Sequence, residues 1–169
     1  MAVASAAMIA VVAGCDGGGG DGLSAEERPY YEAMVEQFQT ETNDELELDR
    51  SQAECVSRGW MAAIGVERFE AAGLTPDELR AQPEPEVAEL DLDGGTAGEM
   101  YDAFGECDVE IADRVIRALY GERVTDEGVD CLRGELDDAL LRDFVVTSFV
   151  ESSSAPLQDE DVVAQFEAA

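Results

Sequence analysis

Apolar residues recur along the chain at helical spacing, in short stretches that each carry their own start signal. Ser24 with Glu27 makes a capping box, Pro29 stands in the first turn, and Tyr31, Met34, Val35 and Phe38 fall on one face of the helix that follows. Asp49 with Gln52 opens a second helix whose Ala53, Val56, Trp60 and Ile64 form an apolar stripe. Gly65 loosens that helix, and the stretch from Val66 to Ala72 reads as a separate turn. Thr75-Pro76-Asp77-Glu78 supplies an N-cap hydroxyl, Pro at N1 and Glu at N3; Gln82-Pro83-Glu84-Pro85 then stops the short helix. Thr96 with Glu99 caps the next helix, with Met100, Tyr101 and Phe104 inward. Asp108 starts one whose Ile111, Ala112, Val115, Ile116 and Leu119 face the core, and Gly121 ends it.

Thr125 opens the following segment, and Leu140, Leu141, Phe144, Val145, Ser148 and Phe149 keep the helical period. The β-branched and aromatic run from Phe144 to Val150 would also suit a strand, but it continues an amphipathic segment without a turn signal, which favours helix. A last helix is expected from Asp159 to Glu167. Aligning Cys55 with Cys131 superposes Ala53 on Val129, Val56 on Leu132, Trp60 on Leu136 and Ile64 on Leu140; past a one-residue gap, Phe69 falls on Phe144. This internal pseudo-repeat favours two similar helical halves. The expectation is an all-α fold, a small irregular bundle of about five to seven short helices within a single domain over residues 24–169.

Charge changes the picture more than composition does. The chain has 169 residues with 46% apolar and 30% charged, in the range of one globular domain. Its 40 acidic residues against 10 basic ones give a formal net charge of -30. Such a surface repels phosphate, so no nucleic-acid partner is expected and electrostatic docking on anionic lipid is disfavoured. Every basic residue is Arg, which fits GC-rich codon usage or, alternatively, adaptation to high salt. No histidine is present, so a Ser-His-Asp triad, a Cys-His dyad and a His-bearing zinc site are excluded.

The N-terminal pattern differs from the rest. Met1 to Gly14 is an uncharged apolar run of signal-peptide length, shorter than the roughly twenty residues that span a bilayer. Small residues at Ala13 and Gly14 precede Cys15, and Asp16, four glycines and Asp21 follow, the composition of a flexible tether. Val12-Ala13-Gly14-Cys15 resembles the lipobox of bacterial lipoproteins. The resemblance implies diacylglyceryl transfer to the Cys15 thiol, cleavage before it, and anchoring by acyl chains at the outer face of the cell membrane. Residues 1–14 would be the signal peptide and residues 15–23 the lipidated cysteine and linker. No Lys or Arg precedes the apolar run, a departure that puts the true start of the chain in question. The competing reading is a buried N-terminal helix with a chance cysteine.

With Cys15 assigned to lipid, Cys55, Cys107 and Cys131 remain, an odd number for an oxidising compartment. One disulfide and one free thiol is the simplest outcome. If two helices meet at a turn from Gly121 to Val124, Cys107 lies about seven residues farther from it than Cys131, about 10 Å along the axis. That exceeds disulfide reach and favours Cys55 with Cys107; Cys55 with Cys131 stays open, as do three buried thiols. Several motifs together resemble small helical secreted and lipoprotein-type proteins of high-GC Gram-positive bacteria. They are a cysteine early in a helix, Gly65-Val66-Glu67-Arg68-Phe69, Glu106-Cys107-Asp108-Val109, and a second cysteine helix running into Leu140-Leu141-Arg142-Asp143-Phe144. The resemblance covers roughly Leu23 to Ser152 and implies fold and compartment only.

Candidate chemistry is sparse. Glu89-Leu90-Asp91-Leu92-Asp93-Gly94 mimics the opening of a calcium-binding EF-hand loop, with Glu89, Asp91 and Asp93 as ligands, but the twelfth position, where a bidentate Glu should stand, is Met100. Acid pairs such as Asp137-Asp138 and the cluster Asp159-Glu160-Asp161 arise readily on acidic helices, and Ser152-Ser153-Ser154 has no partner base. A nucleophilic cysteine would lack an imidazole, with Glu106 and Asp130 as acidic neighbours. Trp60 lies on the Val56/Ile64 stripe, as a core residue would. The expectation is a non-enzymatic, membrane-anchored extracytoplasmic lipoprotein that binds a protein partner or acts as an envelope scaffold. The alternative is a module binding a cation or small ligand through the acidic loop.

Overall fold

The computed structural model describes residues 22–40, 47–81, 87–120, 124–136 and 138–151. Among these residues the fold is all-helical, with eight α-helices, one 3-10 turn and no strand. The helices are α1 (Arg28–Gln39), α2 (Arg50–Ile64), α3 (Val66–Ala72), α4 (Pro76–Ala81), α5 (Gly94–Glu106), α6 (Ile111–Tyr120), α7 (Asp126–Glu135) and α8 (Asp138–Val150); the 3-10 turn is Val87–Leu90.

Local signals set most helix starts. The Asp49 carboxylate accepts from the Gln52 N–H at 2.9 Å and opens α2, and the Thr125 hydroxyl accepts from Gly128 N–H at 3.2 Å to open α7. Thr75 and Glu78 form a reciprocal capping box at α4, with the Glu78 carboxylate accepting the Thr75 N–H at 2.8 Å. Ser24 and Glu27 make the same exchange, but in the turn that leads into α1. Two starts differ from expectation. Helix α5 begins at Gly94, capped by Asp93, and Thr96 is a donor to that cap through its N–H at 2.9 Å. Helix α6 begins at Ile111, because Asp108 closes α5 instead. Asp108 adopts a left-handed φ of 55°, and Val109 N–H reaches back to Phe104 O at 2.9 Å. That is the Schellman arrangement, which Gly73 repeats at the end of α3 with Leu74 N–H on Phe69 O.

The stretch from Phe144 to Val150 is helical, within α8. The segment opened by Thr125 is nevertheless broken: Leu136 takes an extended backbone with ψ 130° between α7 and α8 and is buried. Gly134 weakens the last turn of α7, and burial of Leu136 repays the break. This separation and the independent α3 bring the helices among the described residues to eight, close to the expected number of about five to seven. In the pseudo-repeat alignment the caps Asp49 and Thr125 correspond, yet α2 runs on to Ile64 while α7 stops at Glu135. Gly121 and the expected helix from Asp159 to Glu167 lie outside the described residues.

Helices α1 to α5 enclose the main apolar cluster. Trp60, 2% exposed, meets Phe38, Phe104 and Phe149 edge-on at ring-centroid distances of 5.0, 5.8 and 5.4 Å, and its Nε1–H donates to Met100 O at 3.0 Å. Of the two adjacent tyrosines on α1, Tyr30 is buried and Tyr31 only partly so; Tyr30 stacks on Phe69 and donates its hydroxyl hydrogen to Leu74 O. A second, smaller cluster joins Ala112, Ile116, Val129, Leu136 and Leu141 from α6, α7 and α8. Helix α8 bridges the two, with Leu141 in the second cluster and Phe149 against the first.

Helices α2 and α5 run antiparallel at close range. A Cβ placed on Gly59 would stand 2.6 Å from the Ala103 Cβ, so glycine is required for the helices to meet. We expect Gly59→Ala to destabilise the protein by about 1–3 kcal/mol through overpacking, and Ala103→Gly in the same chain to recover part of that loss. Urea denaturation of the four members of the cycle checks this; strictly additive effects would contradict the contact.

Candidate functional site

A disulfide joins Cys55 in α2 to Cys107 at the C-cap of α5, with Cα atoms 5.7 Å apart. Cys131, on α7, is exposed and free. Cys15, Ser152 to Ser154, and Asp159 to Asp161 lie outside the described residues.

The acidic loop does not gather as an EF-hand would. Glu89 and Asp91 are exposed, and Asp91 has a left-handed φ of 47°. Asp93 is committed elsewhere: it caps α5 through Thr96 and takes the Arg68 guanidinium at 2.9 Å. These bonds, the Thr96 N–H first and Arg68 next, hold its carboxyl far below the ordinary carboxylate value. Among the described residues no three carboxylate or thiol side chains come together as a metal would require. The triplet Glu89, Asp91 and Asp93 thus departs from the expected calcium geometry: the three do not converge, and capping of α5 and the Arg68 pair engage the Asp93 oxygens.

The structure instead brings together residues that the sequence leaves far apart. A cleft of about 410 Å³ opens where the C-terminal half of α5, the α5–α6 turn and the starts of α6 and α8 meet α7. Val109, Ile111, Ala112 and Ala139 give it apolar walls, and Tyr101, Asp108, Glu110, Arg133, Asp138 and Arg142 give it polar ones. Arg133 reaches from α7 to Glu110 at 2.8 Å and Asp113 at 2.9 Å, and the Glu110 hydrogen bond leads in raising its pKa. Arg142 reaches from α8 to Asp102 at 3.2 Å and lies 5.5 Å from the centre of the Tyr101 ring. Burial, then the charge of Asp138, pushes the Tyr101 phenol above its ordinary value.

This cleft can hydrogen-bond a ligand that offers donors and acceptors at once, since guanidinium, carboxylate and phenol groups line one opening. Sequence reading missed it because Tyr101 and Arg142 are separated by some forty positions along the chain. The one usable signal was Arg133 and Arg142 within a chain of few cations. Comparison with family models, with curated proteins and with solved structures gives no match.

Two outcomes follow from these contacts. Asp93→Ala should lower Tm by roughly 4 °C at neutral pH, Asp93→Asn by less, because Asn still caps but no longer attracts Arg68. A depressed carboxyl stabilises the fold above its unfolded value near 3.8, and that contribution is lost as pH falls below it. The Tm gap between parent and alanine variant should therefore shrink between about pH 5 and about pH 2. In the cleft, Asp138→Asn should bring the Tyr101 titration down toward 10.0 and Arg142→Ala should move it up. Phenolate absorbance, with Tyr101→Phe as the assignment control, reads both.

Proposed function

We propose that this protein is an extracytoplasmic lipoprotein, held on the outer face of the cell membrane through acyl chains on Cys15, whose helical domain binds another envelope protein or serves as a scaffold without catalysis. The observation that carries the reading is Val12-Ala13-Gly14-Cys15, placed between an apolar run and a glycine-rich stretch. The Cys55–Cys107 disulfide supports it, since such bonds persist in oxidising compartments. The lack of histidine supports the non-enzymatic part, by removing the commonest general base from the chain. No helix among the described residues is long and apolar enough to cross a membrane, so anchoring in this reading falls to the lipid.

A second reading has one observation behind it. The cleft beside Tyr101, Arg133 and Arg142 suits a small polar ligand better than the loop at Asp91 and Asp93 suits a cation. In that reading the same anchored domain binds a small molecule.

Cell fractionation with intact-mass analysis tests the anchor. The parent chain should be recovered in the membrane fraction, beginning at Cys15 and carrying a diacylglyceryl group. Cys15→Ala should lose the bulk of its membrane fraction. An unprocessed parent chain, soluble in the cytosol with Met1 intact, would remove the proposal.

A further inference from the structure

One wall of the cleft is the turn that follows Cys107. Asp108, Val109, Glu110, Ile111 and Ala112 all line it, and they run straight on from the disulfide-bonded residue into α6. On the other side of that turn stands the N-terminal half of α2. The ties that cross between them include the Cys55–Cys107 disulfide, the Gln52 Nε2–H donating to Asp108 O at 3.1 Å, and Arg114 of α6 donating to Glu47 O at 2.7 Å and to Gln52 Oε1 at 3.5 Å. The hydrogen bonds come from side chains that are only partly buried, where each contributes little on its own. Val109 of the turn is buried in the core of α1 to α5 and Ile111 packs against it, whereas from Ala112 on α6 and α7 bury their apolar residues in the second cluster with α8. The disulfide is, among the described residues, the one covalent cross-link between α2 and the turn from which α6 starts.

We infer that the Cys55–Cys107 disulfide is a redox latch for the cleft: closing it docks the α5–α6 turn and completes the cleft wall, and opening it releases the α6–α7 hairpin. Closure converts two thiols to a disulfide; the two electrons and two protons pass to a disulfide oxidant, which leaves as a dithiol. A dithiol reductant reverses the step. Combined with the export reading, on which this part rests, the cleft forms only after the chain has left the reducing cytosol.

Hydrogen exchange of the purified full chain, with and without a dithiol, tests the latch independently of location. Reduction should accelerate exchange at least about tenfold in the α5–α6 turn, α6 and α7, while amides of α1, α2 and the first turns of α5 keep most of their protection. Arg114→Ala in the oxidised protein should change the same amides by less than about threefold. Unchanged exchange on reduction overturns the latch, and so does acceleration spread evenly over α1, α2 and α5, or general unfolding, which would make the disulfide a staple of the whole fold. An oxidised Arg114→Ala protein that exchanges like the reduced parent also overturns it, assigning the turn to the hydrogen bond. A cytosolic, unprocessed chain would remove the compartment argument and leave the exchange result standing.

Discussion

The structure depends on the seam between α2 and α5. Four pairings follow one antiparallel register along it: Gln52 with Asp108, Cys55 with Cys107, Gly59 against Ala103, and Trp60 on the carbonyl of Met100. They are a covalent bond, a close contact of two backbones and two hydrogen bonds to main-chain carbonyls. The indole can donate to a helix carbonyl only if the backbones approach closely, and they approach because Gly59 has no Cβ. Once the helices are this near, Trp60 becomes the hub at which rings from α1, α5 and α8 meet edge-on. None of these helices exceeds 15 residues, so none would be stable alone in water, and the seam is where their burial becomes cooperative.

An acid excess of this size should oppose compaction, and the few arginines offset it by location. Arg80 joins α4 to Glu36 of α1, Arg68 joins α3 to the α5 cap, Arg117 joins α6 to Asp126 of α7, and Arg142 joins α8 to Asp102 of α5. Exposed pairs of this sort contribute at most about 1 kcal/mol each. Their greater effect here is to replace repulsion between neighbouring acidic helices with attraction at the points of contact. Arg142 also borders the cleft, as does Arg133, which pairs with Glu110 and Asp113, so a ligand in the cleft would meet the arginine that holds α8 against α5.

The described apolar residues divide into a larger cluster and a smaller one. The core of α1 to α5 is aromatic and cross-linked to itself through Trp60. The α6–α7 hairpin buries smaller, aliphatic side chains and attaches through α8 and the turn after Cys107. A cleft at the boundary between such parts can respond to what holds the boundary shut.

Sequence by itself determined the class of fold, most helix starts and the central stripe. A cap such as Asp49, Thr75 or Thr125 works through atoms three residues away, and Ala53, Val56, Trp60 and Ile64 mark a buried face by spacing alone. The misreadings lie where tertiary contacts outweigh local preference. Asp93 displaced Thr96 as the cap of α5 while drawing in Arg68 from α3, which took it from any calcium loop; Tyr30 went inward because Phe69 and Leu74 are there to receive it; and burial of Leu136 split a continuous period. Only the tertiary structure could form the cleft and align Cys55 with Cys107. Both join residues distant along the chain, and no local spacing records the angle at which two helices will cross.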